Sequence, residues 1–533
     1  MNLIARRERA RRAPLVLTGG NHRLRGQFGG AISAATITVT GSALLSFGRG
    51  SLVVHPPSAT GVKVGRFEPI SSLGSTTTTL SASVSVGATT VQTASALSAG
   101  WYWIGATTIT HQVDASTADF GGELVYVTSG GTTSTLRKAL VGSYSSGASV
   151  RRIDVPVTEG VTIRGLRTLG DHPTSPQGLS VGLVQGILID GCSIHGSINQ
   201  AMYIVRCRDV VISNCNHTDI GFSTGTGYGV SPNQCQNVTI KNITAFRSRH
   251  GVSITRGCQL VNVDGIVAIG GSTVSGGTFT YGEIASAGFD DHDGSSRVTI
   301  ANVRTDAAIK LGNSSWRAAI TNYSVSNCSA AFLIVGGDVQ GSSVSNSSFS
   351  AIQYQVFATA NGWANRFKSN VFTGVTVAGS STNVVLTALD VAINGSADVS
   401  ENRFVNSTIT GYGIYPAVRI DDNLGSLGNY TLRFEGSTLT SGSGSGSRIA
   451  SVRNTNGATG NIKFEFVNSS LVLLPGTATA ALLSCSTTSG AARWASSNST
   501  VTVGAASAVA ISASHVAINA GAAAWAESVA TGL

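Results

Sequence analysis

Apolar and polar positions alternate in short bursts along this chain. AMYIV (201–205), YGVS (228–231), HGVSI (250–254), AIKL (308–311) and AFLIV (331–335) are runs of four or five residues, apolar and β-branched, bounded by turn formers. Runs of that length and type read as buried strands. A second pattern repeats between them. CRDVVISN (207–214), CQNVTIKN (235–242) and CQLVNVDG (258–265) align without gaps. Each begins with Cys, alternates through a β-branched run and ends on Asn or Gly seven residues later.

That Asn or Gly recurs at Gly165, Gly191, Asn214, Asn242, Gly265, Asn302, Asn322, Asn346, Asn370, Asn402, Gly436, Asn468 and Asn498, at intervals of 20 to 37 residues. The shortest intervals approach one coil of a parallel β-helix. Asn and Gly tolerate the left-handed conformation that a sharp bend demands, and stacked Asn side chains can bond to one another along the axis. The next residue then points inward, as at Leu166, Cys192, Cys215, Ile243, Ile266 and Val303. A third strand follows the bend, as in ITAF (243–246) and IVAI (266–269). The predicted fold class is therefore all-β, a parallel β-helix with three strands per rung. No rung can bury its inner face alone, so many must stack.

On this pattern Cys207, Cys235 and Cys258 form one stack and Cys192 and Cys215 another. Free Cys behaves as a small buried hydrophobe. Zinc sites favour closely spaced Cys pairs, and none is present. No metal and no cofactor is expected.

Composition changes this picture mainly at the ends. The chain is 42% apolar, too much for disorder. Residues 1–12, MNLIARRERARR, form a basic arm that suits an acidic partner, or else a solvated terminus. The arm lacks the apolar core and cleavage site of a secretory signal. Residues 13–155 lack the Asn period and are expected to be a β region with a small β insertion around STTTTLSASVSVGATTVQTASALSAGWYWIG (75–105). The helix proper is expected over 156–500, with a cap over 501–533 that includes a short closing helix at AAAWAESVA (522–530). No apolar run is long enough to span a membrane. The N-x-S/T triplets at Asn242, Asn346, Asn406, Asn468 and Asn498 read as a by-product of composition.

Charged residues are only 11% of the chain, yet GFDDHDGSS (288–296) places Asp290, Asp291, His292 and Asp293 side by side. GFDDH lies opposite HGVSI of the preceding rung. The long interval between Gly265 and Asn302 throws out a loop, 270–287, just before it. Arg247, Arg249, His250, Asp290, Asp291, His292 and Asp293 are thus gathered on one face, with Tyr281 and Glu283 on the overhanging loop. Val252 and Phe289 are expected inward, Asp290 and His292 outward. Asp291 is left inward, with Arg249 as candidate partner. Two carboxyl groups can hydrolyse a glycosidic bond. Alternatively, a base beside an Arg can abstract a proton next to a uronate carboxylate and eliminate. A divalent ion held by the Asp carboxylates and a passive ladder of paired charges are the other readings. Trp101, Tyr102 and Trp103 can stack on sugar rings or fill the core of the insertion.

The three-strand rung with its Asn bend resembles the pectin-lyase-like right-handed parallel β-helix superfamily over residues 156–500. Arg249-His250 in RSRHGVSIT, followed by Asp290-Asp291-His292 in GFDDHDG, is similar to the Arg-His and Asp-x-His pairs of bacteriophage tail-spike and tail-fibre β-helix proteins. The resemblance implies a homotrimer on a phage tail, assembled in the host cytoplasm and joined to other tail proteins, with residues 1–12 as one route of attachment. It implies binding of bacterial surface polysaccharide and its cleavage by hydrolysis or elimination. Arg249, His250, Asp290 and His292 would be the catalytic groups, and Arg247, Asp291, Asp293, Tyr281 and Glu283 would contact substrate. A non-catalytic receptor-binding fibre and a bacterial extracellular polysaccharide lyase are the alternatives.

Overall fold

Bends force this chain into a coil, and strand pairing locks the coil in register. In a computed structural model, residues 15–503 are described apart from connecting segments, of which 106–120, 356–364 and 379–388 are the longest. Residues 1–14 and 504–533, which include the basic arm and the expected closing helix, lie outside the described residues. The chain is a parallel β-helix. It divides into one unit of residues 1–299, 304–307 and 316–318, and a second of 300–303, 308–315 and 319–533.

In the first unit each rung has three strands. Gln177–Gly182, Gln200–Val205, Tyr228–Asn233, His250–Ile254 and Ala287–Asp291 pair in parallel on one side. Arg208–Ile220, Gln236–Ser248 and Gln259–Ile269 supply the other two sides, bending midway, and Val184–Asp190 with Ser193–Ser197 supplies them in the rung before. Like stacks on like: Leu179, Met202, Val230, Val252 and Phe289 fall in one column, all buried. Period-two alternation puts apolar side chains in such columns, and their burial is the main driving force.

Strands upstream of residue 156 join the coil. Leu15–Leu24, Ile37–Phe47 and Val62–Gly65 pair in parallel with one another or with Thr158–Arg164 and Gln177–Gly182. Between them a six-stranded antiparallel sheet of residues 77–152 is inserted. Tyr102 fills its core beside Ile104, Val125 and Val127, whereas Trp103 packs with Leu124, Ile153 and Leu183. Trp101 sits edge-on to Tyr126 at 5.1 Å.

The insertion is held to the coil by one column of buried side chains. Arg208, Gln236 and Gln259 are neighbours across three rungs. Each donates to a main-chain carbonyl of the insertion: Arg208 to Leu124, Gln236 to Gly122, Gln259 to Gly121. Arg208 also meets the buried Glu123 at 2.8 Å. Backbone N–H groups of Val141 and Gly142 and the Tyr144 hydroxyl also donate to this carboxylate. Burial nevertheless outweighs these partners and holds the Glu123 carboxyl above its usual range.

The corners show why the sequence repeats. Gly165, Gly191, Asn214, Asn242 and Gly265 all have positive φ, as expected. The Asn242 amide donates to Asn214 Oδ1 at 3.0 Å, and Asn214 donates to Asp190 at 2.8 Å. Cys192 and Cys215 stack behind this corner, and the backbone N–H of Cys192 points at Cys215 Sγ, 3.4 Å away. Cys235 and Cys258 make the same contact at 3.4 Å. All are buried free thiols, as is Cys207.

The second unit uses two left-handed corners per coil, and the Asn period had merged them. One column runs Asn327, Asn346, Gly374, Asn406, Gly436, Asn468 and Asn498. The other runs Asn322, Gly341, Ser369 and Glu401. Asn370 and Asn402 are not corners. Each follows a left-handed residue, points inward and is buried. The Asn370 amide donates to Asn402 Oδ1 at 2.9 Å, and Asn402 donates to the Phe367 carbonyl. The N-x-S/T triplets at Asn346, Asn406, Asn468 and Asn498 thus have a structural origin. Asn takes the bend, an inward Ser follows, and Ser or Thr opens the next strand. Among the described residues no helix is long and apolar enough to cross a membrane.

Candidate functional site

The strand His250–Ile254 lies beside Ala287–Asp291, with His250 opposite Ala287, Ser253 opposite Asp290 and Ile254 opposite Asp291. His250 therefore does not face Gly288, as matching GFDDH to HGVSI end to end would have it. Slipping by one residue exchanges the two faces of a strand, so this register decides where each carboxylate goes. Phe289 faces Val252 in the interior, and Asp290 projects to the other side.

Asp290 approaches His250 there. Its Oδ2 lies 3.8 Å from His250 Nε2 and accepts a hydrogen bond from Ser253 Oγ at 3.3 Å. The expected outward direction does not make Asp290 exposed. Asp290 and His250 are 0% and 1% exposed. Asp291 takes the inward position left to it, and two of its contacts come from Ser295: the backbone N–H at 2.9 Å and the hydroxyl at 3.1 Å. Those bonds offset part of the cost of removing a carboxylate from water.

His250 stacks on Tyr228 of the preceding rung, ring centroids 5.2 Å apart. The Arg249 guanidinium lies 5.8 Å from the same ring. Arg249 is half-buried, and its Nη1 is enclosed without a hydrogen-bond acceptor. Arg247 belongs to a different cluster. Its Nη2 donates to Asp219 at 2.6 Å, and His195 Nδ1 lies 3.4 Å from the same carboxylate oxygen. Tyr281 falls in a hairpin, Ser272–Ser275 against Thr278–Tyr281, but its side chain lies outside the described residues, as do Glu283, His292 and Asp293.

His217 was not anticipated. It sits fully buried beneath this region. Its Nε2 is 2.9 Å from the Gly251 carbonyl and its Nδ1 is 2.9 Å from Ser248 Oγ. A carbonyl only accepts, so Nε2 carries the proton and Nδ1 accepts from the serine. Burial lowers the His217 pKa to about 4, which keeps the ring neutral. The ring therefore ties down the backbone between His250 and Val252. Gly229 makes room for it: a Cβ there would stand 2.1 Å from the imidazole. A lone His on an otherwise alternating strand was the signal available in the sequence, together with the Gly of YGVS on the next strand.

Asp290, His250, Ser253, Tyr228 and Arg249 thus meet on two strands of one sheet and their neighbour. A carboxylate beside an imidazole can share and transfer a proton, and a guanidinium at its edge can meet an anion. Among the described residues no group of three or more His, Cys, Asp or Glu side chains is arranged to hold a metal ion.

No family profile matches the sequence, and no curated protein matches it. Among solved structures, the chain is similar to the tailspike protein of Pseudomonas phage LKA1 at 18% identity, covering 93% of this chain and 73% of that one, with a TM-score of 0.44. It is similar to the tailspike of Pseudomonas phage phi297 at 14% identity, 82% and 70% coverage and a TM-score of 0.36. It is also similar to the tailspike of Acinetobacter baumannii bacteriophage AP22, solved with a capsular saccharide, at 12% identity, 90% and 71% coverage and a TM-score of 0.37.

Proposed function

We propose that this chain is a tail-spike-like protein that binds bacterial surface polysaccharide and depolymerises it, with Asp290 and His250 as the proton-transfer pair. The 3.8 Å approach of these two groups supports the reading, because residues 40 apart in sequence are brought together by successive rungs. In hydrolysis, one protonated group of such a pair delivers its proton to the glycosidic oxygen as the anomeric C–O bond breaks, and water adds to the anomeric carbon with its proton passing to the other group. In elimination, His250 takes the proton beside a uronate carboxylate, Arg249 offsets the developing charge, and the glycosidic C–O bond at the next carbon breaks, its oxygen leaving as a hydroxyl with a proton from the pair or from water. The same reading carries a homotrimer, a place on a phage tail and docking to other tail proteins through residues 1–12.

The near-complete burial of Asp290 and His250 favours a second reading, in which the pair is structural and the chain is a receptor-binding fibre. One experiment separates the two. Purified protein is incubated with a panel of bacterial capsular polysaccharides and lipopolysaccharide O-chains, and reducing ends and new unsaturated uronates are followed. Cleavage by the wild type that drops at least about a hundredfold in folded Asp290→Asn supports the catalytic pair. Binding without either product leaves the fibre. Undiminished cleavage by Asp290→Asn removes Asp290 from the mechanism.

A further inference from the structure

On the outer side of the strands that carry His195, Thr218, Phe246 and Ile269, these four side chains fall in one column. Their spacing is set by the rungs, about 4.8 Å each. Phe246 is 46% and Ile269 53% exposed, and the His195 side chain is 42% exposed. Among the described residues the exposed large hydrophobics include two aromatic rings, Phe246 and Tyr412. Beside the column of His195 and Phe246 runs a second outward column, short and polar at Ser193, Asn216 and Thr244 and apolar at Val267. On the other flank is the left-handed corner with Asp219 and Arg247.

The chemistry of this strip is mixed in a particular way. The Arg247 guanidinium lies 5.0 Å from the Phe246 ring and also holds Asp219 at 2.6 Å. Arg247 Nε is enclosed and without an acceptor. Asp219 presents a carboxylate, only 14% exposed, between His195 and Arg247. Phe246, Val267 and Ile269 give the strip an apolar end, yet the centre of an interface between copies of a protein is depleted of charge, and here the Arg247 guanidinium lies against the Phe246 ring. A sugar ring needs something else: a flat apolar face, and next to it fixed donors and acceptors for adjacent hydroxyls. Phe246 supplies the first, and Asp219, His195 and Arg247 supply the second.

We propose that Phe246, Asp219, His195 and Arg247 form a saccharide-binding subsite, on which one sugar of a polysaccharide stacks against Phe246 and places hydroxyls on Asp219 and His195. This rests on the reading that the chain binds polysaccharide. It adds a site on the far side of the Arg247–Ser248 corner from the Asp290–His250 pair. The short side chains of Ser193, Asn216 and Thr244 leave room for the glycan to continue along the coil.

The test uses the full chain and whichever polysaccharide of the panel the wild type binds, with affinity read by calorimetry. Phe246→Ala and Asp219→Asn are each expected to weaken binding about tenfold. Phe246→Ala changes an exposed ring and Asp219→Asn a mostly buried carboxylate, and circular dichroism checks the fold of both. Ile269→Thr, which removes apolar area but no ring, is expected to bind as the wild type does. Unchanged affinity in Phe246→Ala and Asp219→Asn overturns the subsite and leaves the wider reading standing. A wild type that binds no glycan of the panel overturns both. If Phe246→Ala changes the sedimentation coefficient while affinity holds, the strip is a contact between copies and the proposal fails.

Discussion

Behind the left-handed corners, the first unit stacks cysteines and the second unit stacks serines, yet the two columns make the same contact. In the first, the N–H of Cys192 meets Cys215 Sγ and the N–H of Cys235 meets Cys258 Sγ, each at 3.4 Å. In the second, the N–H groups of Cys328, Val375, Ser407, Ser437 and Ser469 meet the hydroxyls of Ser347, Ser407, Ser437, Ser469 and Ser499 at 3.0 to 3.3 Å. The column Tyr323, Ser342, Asn370 and Asn402 repeats the device, with amide oxygens as two of its acceptors. The residue after a left-handed one still points its N–H at the next rung, but it meets a side-chain acceptor there in place of a strand carbonyl. A buried N–H needs an acceptor, so any small side chain with a lone pair will serve at the following position in the next rung. The bend sets the requirement, and sulfur, hydroxyl and amide are alternative answers to it.

The units also differ in what fills them. The first is largely aliphatic, with His217 as a buried polar group. The second stacks Phe372, Phe404, Phe434 and Phe466 at 4.5 to 5.2 Å. Breaking that stack is expected to have the largest effect. Phe404→Ala should cost about 3–5 kcal/mol and raise hydrogen exchange in residues 365–473 while the first unit keeps its protection.

Acid should strike the other unit. The neutral His217 ring takes up protons at about pH 4 when folded but at 6.5 when free. Its contribution is therefore complete above pH 6.5 and is lost as pH falls towards 4, to the extent of about 3 kcal/mol. Urea unfolding at pH 7, 5 and 4, followed in the wild type and in His217→Asn, would show it. A wild-type pH dependence identical to that of His217→Asn would mean that the ring is not buried and neutral.

The shared corner contact can be sharpened by exchange. Ser437→Ala removes the acceptor for the Ser407 N–H and should cost about 1–2 kcal/mol, whereas Ser437→Cys should recover part of that loss. In the first unit, burial pushes the Cys235 and Cys258 thiols well up, so neither should react with iodoacetamide at pH 8 until urea opens the coil. The smallest effect is expected on the surface of the second unit. There Arg403 makes two bonds to Glu435, at 3.0 and 2.8 Å. Because both side chains meet solvent, Arg403→Ala should cost less than about 1 kcal/mol.

The sequence by itself determined the coil, its three-strand rung, the cysteine stacks and the inward place of Phe289 and Val252. These follow from two-residue alternation and from the tolerance of Asn and Gly for left-handed φ, which are properties of a few neighbouring residues. Only the tertiary structure decided that Leu183, Arg206 and Leu260 also take left-handed bends, and that Ser369 rather than Asn370 turns the chain. Such residues resist positive φ, and only pairing with the rungs on either side imposes it. The same holds for the site. Asp290 and His250 could be matched from the repeat, but their burial, the His217 ring beneath them and the bond from Gln259 to Gly121, 138 residues away, depend on contacts between segments distant in the chain, which leave no local trace in composition or period.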